Sequence, residues 1–150
     1  MKTPLRVWLA GPITTELAHF ASAAAPLETG GLLLGWWENG AIVVRHAVEV
    51  PDQQAGRSSW TRRPRAARSV LKAALADLDH PLLGYIGDWH SHPEVCHASG
   101  RDIQSLALTS EQYTLPLVLI VHLPDHTVDV RAAHHGRSCS VSISRPDPRT

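Results

Sequence analysis

The chain has 150 residues, 43% hydrophobic and 19% charged, a composition that excludes a wholly disordered protein. Its 14 basic and 14 acidic side chains give zero net charge, which argues against a nucleic acid or an anionic membrane as the partner. Two cysteines are too few for a disulfide-rich secreted scaffold or a four-cysteine zinc site.

The first half of the chain predicts a strand, a helix and a hairpin. Residues 6–10 form a short strand pattern that Gly11-Pro12 ends, too early for the apolar core of a signal peptide, so we expect a cytoplasmic protein. Apolar residues recur at helical spacing over 13–25. Asn39-Gly40 separates two apolar runs and is typical of a tight turn between paired strands, the second over 41–50.

The second half alternates helices and strands. After a polar loop over 51–65, the pattern predicts helices over 66–78 and 100–108 and strands over 82–90, 117–123, 127–132 and 138–144. The element order predicts a mixed α/β fold, in which helices flank a mixed sheet. The length predicts one domain over 1–145, followed by a flexible tail over 146–150.

The residues that point to chemistry follow the strand that ends near residue 90. His90 and His92 are two positions apart, so both imidazoles lie on one face of the strand, and Pro93 ends the strand there. Asp102 falls in the first turn of the next helix, where its carboxylate can return as a third ligand. Two nitrogens and one oxygen suit zinc, and three protein ligands leave one position for water.

Chance alone does not account for this set. Ten histidines make a His-x-His pair expected about 0.7 times at random, so the pair by itself says little. The further presence of Pro93, Ser99 and Asp102 at their positions lowers the expectation to roughly two in ten thousand.

With Glu28 upstream, the chain resembles the JAMM/MPN-plus (Mov34/PAD-1, or JAB) zinc metallopeptidase family, whose motif is a glutamate, then H-x-H-P, then S-x-x-D. The phrase from Gly87 to Glu94 is most similar to bacterial members associated with ubiquitin-like conjugation or CBASS operons. Two departures are a loop of six rather than seven residues before Ser99, and Ala98 in place of the usual proline. The resemblance implies a curved mixed sheet flanked by helices, the JAB/MPN (cytidine-deaminase-like) architecture.

The resemblance also implies one Zn²⁺ per chain, held by His90, His92 and Asp102, with Glu28 as the group that transfers the proton of the attacking water. Ser99 would donate a hydrogen bond to the oxyanion, and it is equally placed to cap the helix that follows. The implied activity is hydrolysis of an amide bond at the C-terminus of a ubiquitin-like protein or its conjugate, with E1- and E2-like proteins as expected partners.

Two alternatives stay open: a peptidase acting on sulfur-carrier protein adducts, and a non-catalytic MPN-type interaction module. A zinc deaminase is excluded, because the chain lacks H-x-E followed by P-C-x-x-C.

Substrate contacts are harder to predict from sequence. Candidates from a glycine pair, an aromatic pair and a basic run are Gly30, Gly31, Trp36, Arg62 and Arg63. The competing interpretations are a glycine turn, an aromatic core pair and a solvated charged surface. Asp88 shares the strand face of His90; we expect a solvated acid there, and the alternative is a residue that orients a metal ligand.

Overall fold

The computed structural model describes residues 3–145, which contain eight strands and three helices. The elements in chain order are β1 (Leu5–Leu9), α1 (Ile13–Ala24), β2 (Gly30–Glu38), β3 (Ala41–Glu49), α2 (Pro64–Leu78), β4 (Gly84–Ser91), α3 (Gly100–Ser110), β5 (Leu117–His122), β6 (Val128–His134), β7 (Arg137–Cys139) and β8 (Val141–Ser144). None of the helices in this range has the length and apolar character needed to cross a bilayer. The flexible tail predicted over 146–150 lies outside the described residues.

All eight strands belong to one mixed sheet, in the order β7-β6-β5-β4-β2-β3-β1-β8. β1 runs parallel to β3 and β8, and β4 runs parallel to β5, whereas the other neighbours are antiparallel. The two ends of the sheet, β7 and β8, are separated in the chain by Ser140 alone. The sheet therefore curves round until it is nearly closed, and the predicted fold class is confirmed.

The turn predicted at Asn39-Gly40 is confirmed, and the single strand predicted over 138–144 is wrong. Asn39 and Gly40 both have positive φ, 50° and 77°, as the tight hairpin between β2 and β3 requires. Residues 138–144 divide at Ser140 because the two halves pair at opposite ends of the sheet, β7 with β6 and β8 with β1. Alternation within the segment could not reveal two separate partners.

The helices cover the two faces of the sheet unequally. In β5, Val118 and Ile120 belong to the core beneath α1, whereas Leu119 and Val121 pack with Leu106 of α3. This division follows from the alternation of side chains along a strand. α1 thus covers one face, and α2 and α3 share the other.

Side chains also alternate along β4, and this decides which of them face the cleft. Trp89 is fully buried in the core beneath α1 and donates its Nε1–H to the carbonyl of Val48, at 3.0 Å. Its neighbours Asp88 and His90 point to the opposite face, where both line a cleft. The prediction that Trp89 is a core residue is therefore confirmed.

Candidate metal centre and its cleft

Strand register places Glu28 beside the histidines. β2 and β4 are antiparallel with Gly30 opposite His90, so the start of β2 adjoins the end of β4. Ser91 fixes this junction: its N–H donates to the carbonyl of Thr29 at 2.8 Å, and its Oγ accepts from the Thr29 N–H at 3.0 Å. Glu28 precedes this junction, and its own N–H donates to the carbonyl of Gly56 at 2.8 Å. Its side chain is therefore held over the end of β4.

Three ligand atoms from His90, His92 and Asp102 converge on one point. The Nε2 atoms of the two histidines are 3.2 Å apart, and Oδ2 of Asp102 lies 3.4 Å from the first and 3.6 Å from the second. Two ligands of a tetrahedral zinc ion, each bonded at its usual distance, are about 3.4 Å apart. The donor set and its spacing therefore fit zinc.

Glu28 lies beside this triad: one ligand atom from each of Glu28, His90 and His92 falls within 4.8 Å of the others. Two sets of three possible ligands, one with Asp102 and one with Glu28, thus share His90 and His92. The position of Asp102 fits a third ligand, because its carboxylate lies within 3.6 Å of both Nε2 atoms. With Asp102 in that role, Glu28 would lie beside the ion without being needed as a ligand.

The loop after β4 orients His92. Its Nδ1 contacts the carbonyl oxygen of Cys96, which can only accept a hydrogen bond. The proton therefore resides on Nδ1, and Nε2 presents its lone pair toward Asp102 and His90. The backbone N–H of His92 donates to the carbonyl of His122, at 2.9 Å, which continues the β4–β5 pairing past the end of β4.

Asp102 is held by the start of α3. Ser99 caps this helix as predicted: its Oγ accepts from the Asp102 N–H at 3.1 Å, and Oδ2 of Asp102 accepts from the Ser99 N–H at 2.8 Å. Burial alone would raise the pKa of Asp102, but hydrogen bonds from His90 and the Ser99 backbone hold it below its usual range. The Asp102 side chain therefore stays a carboxylate, the form that can bind a cation.

The pKa of Glu28 is shifted in the opposite direction. This residue is 8% exposed, and burial raises its pKa, against a lowering by His90 and His92. Desolvation disfavours the charged form of a carboxyl group and makes its carboxylate a stronger base. Glu28 can therefore accept a proton more readily than an exposed glutamate.

The centre opens into a cleft of about 860 Å³. One wall is the loop over 57–62 and the other is α3, from Arg101 to Thr109. Trp60 stacks against the His90 ring at a centroid distance of 6.5 Å, and its Nε1–H donates to the carbonyl of Val50 at 3.1 Å. No sequence signal points to Trp60 as a site residue, because it lies in a loop whose composition carries no periodicity.

Asp88 is not the solvated acid expected from the sequence. Its Oδ1 accepts from Nη1 of Arg62 at 3.1 Å and from the Tyr85 hydroxyl at 2.9 Å. Burial raises the pKa of Asp88, and the contacts with Arg62 and Tyr85 oppose that rise. This corrects the prediction: the carboxylate attaches the cleft wall that carries Arg62 to β4.

Of the five predicted substrate contacts, Arg62 alone lines the cleft. Gly30 and Gly31 are buried in the sheet, where an added Cβ would meet the Trp60 ring at 2.7 Å or the Val48 carbonyl oxygen at 1.8 Å. These two glycines therefore serve close packing. Trp36 stacks on His80, 5.2 Å between ring centroids, and Arg63 pairs with Asp52 at 3.4 Å, so both lie away from the cleft.

Asp129 supports the loop before α3, and its removal is expected to destabilise the protein. It accepts from the Ala98 N–H at 2.8 Å and from Nε of Arg131 at 2.9 Å. We expect Asp129→Asn to lower the free energy of unfolding by about 1–3 kcal/mol at pH 7. The measurement is urea unfolding, with the exposed Asp77→Asn variant as control.

The loss in Asp129→Asn should depend on pH in a defined direction. Burial alone would raise the pKa of Asp129, but Arg131 and the Ala98 N–H hold it below its usual range. The stabilisation is therefore complete above the ordinary pKa of aspartate, about 3.9, and is lost as pH falls through the lower folded-state value. A gap between variant and parent that stays constant from pH 7 to pH 3 would contradict this origin.

Comparison with known proteins identifies the family. Residues 11–135 match the model of the prokaryotic homologs of the JAB domain. The chain is 32% identical over 101 residues to the CD-NTase/cGAS isopeptidase of Enterobacter hormaechei subsp. hoffmannii, covering 63% of this chain and 54% of that protein. It is 28% identical over 94 residues to the probable metalloprotease y4qB of Sinorhizobium fredii, covering 60% and 56%. The chain thus spans about half the length of these curated relatives.

The fold is also found in a solved protein. The solution structure of protein DSY2949 from Desulfitobacterium hafniense superposes with a TM-score of 0.65 at 15% identity, covering 95% of this chain and 96% of that one. At this identity the likeness concerns the fold alone. The family match includes all four converging side chains, Glu28, His90, His92 and Asp102. The chain therefore belongs to the family of prokaryotic homologues of the JAB domain, and the JAMM/MPN-plus resemblance of its motif is confirmed.

Proposed function

We propose that this chain is a zinc-dependent isopeptidase or peptidase that hydrolyses an amide bond at the C-terminus of a ubiquitin-like protein or its conjugate. The observation that carries the proposal is the convergence of three ligand atoms, 3.2–3.6 Å apart, beside a buried glutamate at the base of an open cleft. The names of the two curated relatives, an isopeptidase and a probable metalloprotease, support the same reaction class.

His90, His92 and Asp102 would hold the ion, and bound zinc supplies Lewis acidity for the reacting water and carbonyl. Glu28 takes the proton from the water at its carboxylate, for which burial has raised its basicity. The same carboxyl group then gives the proton to the leaving amine, so that the amine departs neutral. Glu28 therefore acts first as a base and then as an acid.

Ser99 can serve two roles at once. Its Oγ lone pair accepts from the Asp102 N–H, which leaves the hydroxyl hydrogen free to donate into the cleft that Ser99 lines. A donor placed there would stabilise negative charge that develops on the carbonyl oxygen of the substrate. The helix cap thus holds both Asp102 and this donor at fixed positions.

We further propose that the protein works in the cytoplasm, alongside E1- and E2-like partners, in deconjugation or precursor processing during antiphage defence. The name of the Enterobacter relative supports this setting, because it pairs isopeptidase activity with a CD-NTase. The proposal concerns the domain described, since each of those relatives is about twice the matched length.

The test uses the zinc-loaded chain and a ubiquitin-like protein encoded beside its gene. The C-terminus of that protein is coupled in one substrate to the ε-amine of a lysine in a fluorescent peptide, and in another to a single amino acid. We expect release of the intact ubiquitin-like protein, with its terminal carboxylate restored, as measured by mass spectrometry. Cleavage of the single-residue adduct alone would favour a sulfur-carrier type of substrate. Tight binding without cleavage would contradict the proposal and indicate an interaction module.

A further inference from the structure

Arg62 is held in the cleft wall by one end of its guanidinium group. Its Nη1 donates to the Tyr85 hydroxyl at 2.7 Å and to Oδ1 of Asp88 at 3.1 Å. The Tyr85 ring lies beneath the guanidinium, 5.7 Å from Cζ to the ring centroid. Both hydrogens of Nη1 are therefore used, and the side chain is fixed in orientation.

The other edge of the same group is open. Nε and Nη2 of Arg62 donate to no protein acceptor among the described residues. Among residues 3–145, Nε2 of His122 is the one side-chain nitrogen or oxygen that is both buried and without a hydrogen-bond partner. Nε and Nη2 of Arg62 have no partner and are not in that class, so both atoms are accessible to solvent. Because Arg62 lines the cleft, a ligand in the cleft is the group placed to reach this unpaired edge.

The Nε–Nη2 edge has a particular chemical preference. Its two parallel N–H groups match the two oxygens of a carboxylate, which they bind bidentately. Two more arginines line the cleft, Arg57 and Arg101, and both are exposed. Four carboxylates line the cleft as well, Glu28, Asp88, Glu94 and Asp102, so the attraction for a substrate carboxylate comes from the open Nε–Nη2 edge of Arg62 and not from the net charge of the cleft.

The distance from the metal centre limits where the carboxylate would lie in a substrate. Asp88, to which Arg62 is bonded, and His90 are two residues apart on one strand face, about 7 Å along β4. An extended peptide advances about 3.3–3.6 Å per residue. A group bound by Arg62 would therefore belong to a residue within about three positions of the scissile amide.

We propose that Arg62 is a specificity-determining residue that binds a substrate carboxylate close to the scissile bond, with Asp88 and Tyr85 as its positioning residues. This inference rests on the proposed hydrolysis and adds the substrate class: an acidic side chain, or the terminal carboxylate of a short C-terminal extension. Substrates without such a group bind less tightly.

The experiment compares three peptides on the zinc-loaded protein: Gly-Gly-Gly-Gly amide, the same peptide with a free C-terminus, and Gly-Gly-Glu-Gly amide. Affinities are measured by calorimetry, and each peptide is also used as the extension in the hydrolysis assay. We expect at least one carboxylate peptide to bind about 10- to 100-fold more tightly than the neutral amide. The free terminus and the glutamate separate the two sources of the carboxylate.

Variants then assign the preference to Arg62. In Arg62→Gln the ratio between carboxylate and neutral peptides is expected to fall to about one, with an intermediate ratio in Arg62→Lys, which keeps the charge without the fork. The double variant Arg62→Gln/Asp88→Asn removes both charges, so that Asp88 is not left as an unpaired carboxylate, and it is expected to show the same ratio of about one. The matched control is Arg68→Gln, an exposed arginine of α2 outside the cleft.

Equal binding of all three peptides by the parent protein, or a preference that survives in Arg62→Gln, would overturn the assignment. If the proposed function is wrong, no extension is hydrolysed, but the ratio of the affinities for carboxylate and neutral peptides can still be measured by calorimetry. The two hypotheses are thus tested by separate readouts.

Discussion

Glu28→Gln is expected to lower the rate of amide hydrolysis by about 10²–10⁴-fold and to leave the zinc content of the protein unchanged. Glutamine keeps the volume of the side chain at this buried position but cannot accept a proton. In the proposed site, Asp102 and the two histidines are the three ligands, so loss of the Glu28 charge should not release the ion. The measurements are kcat on the coupled substrate and zinc content by mass spectrometry.

The control for this prediction is Glu38→Gln, which makes the same change at an exposed position at the other end of β2. Glu28 lies within 4.8 Å of both histidine ligand atoms, so the zinc content of the variant distinguishes a metal ligand from a proton-transfer group. A variant that loses zinc would assign Glu28 to the ligand set and remove it from the proton-transfer role. A variant with full activity would exclude both roles.

The second large effect is expected for Asp102→Ala. The zinc affinity of this variant should fall by more than 100-fold, and hydrolysis should be lost because it depends on the ion. Even residues that only orient a ligand cost about 10–100-fold when removed, and here a ligand atom itself is lost. The variant also removes half of the capping box of α3, at a cost of about 1 kcal/mol in the free energy of unfolding. Competition with a chromophoric chelator measures the affinity.

Two comparisons separate the ligand role of Asp102 from its capping role. Ser99→Ala removes the acceptor for the Asp102 N–H but keeps the carboxylate, so its zinc affinity should fall less than that of Asp102→Ala. Asp77→Ala changes an exposed aspartate of α2 and should bind zinc like the parent. Zinc bound by Asp102→Ala as tightly as by the parent would show that the third ligand lies elsewhere.

The parts of the site that sequence could predict are those that short spacings control. His90 and His92 share a strand face because side chains alternate, and Ser99 caps α3 because serine and aspartate three residues apart form a capping box. Asp102 then follows from the helix that Ser99 begins. Glu28 required the family resemblance, because its place beside His90 depends on the register of two strands that are far apart in the chain.

What the sequence could not predict depends on contacts between distant segments. Arg62 and Asp88 are 26 residues apart, and nothing in either segment indicates that one will pair with the other. The solvated Asp88 predicted for an acid near a strand end is wrong, because Arg62 and Tyr85 both donate hydrogen bonds to its carboxylate. The division of residues 138–144 into two strands likewise depends on the curvature of the whole sheet.

The position of β8 affects how the protein can fold during synthesis. β1 lies between β3 and β8, so one edge of β1 gains its partner only after all the elements from α1 to β7 have been synthesised. Leu5 is paired with Val141, a contact of very long sequence separation, which slows folding. Until β8 pairs with β1, the nascent chain exposes an unpaired strand edge, which is a site for aggregation.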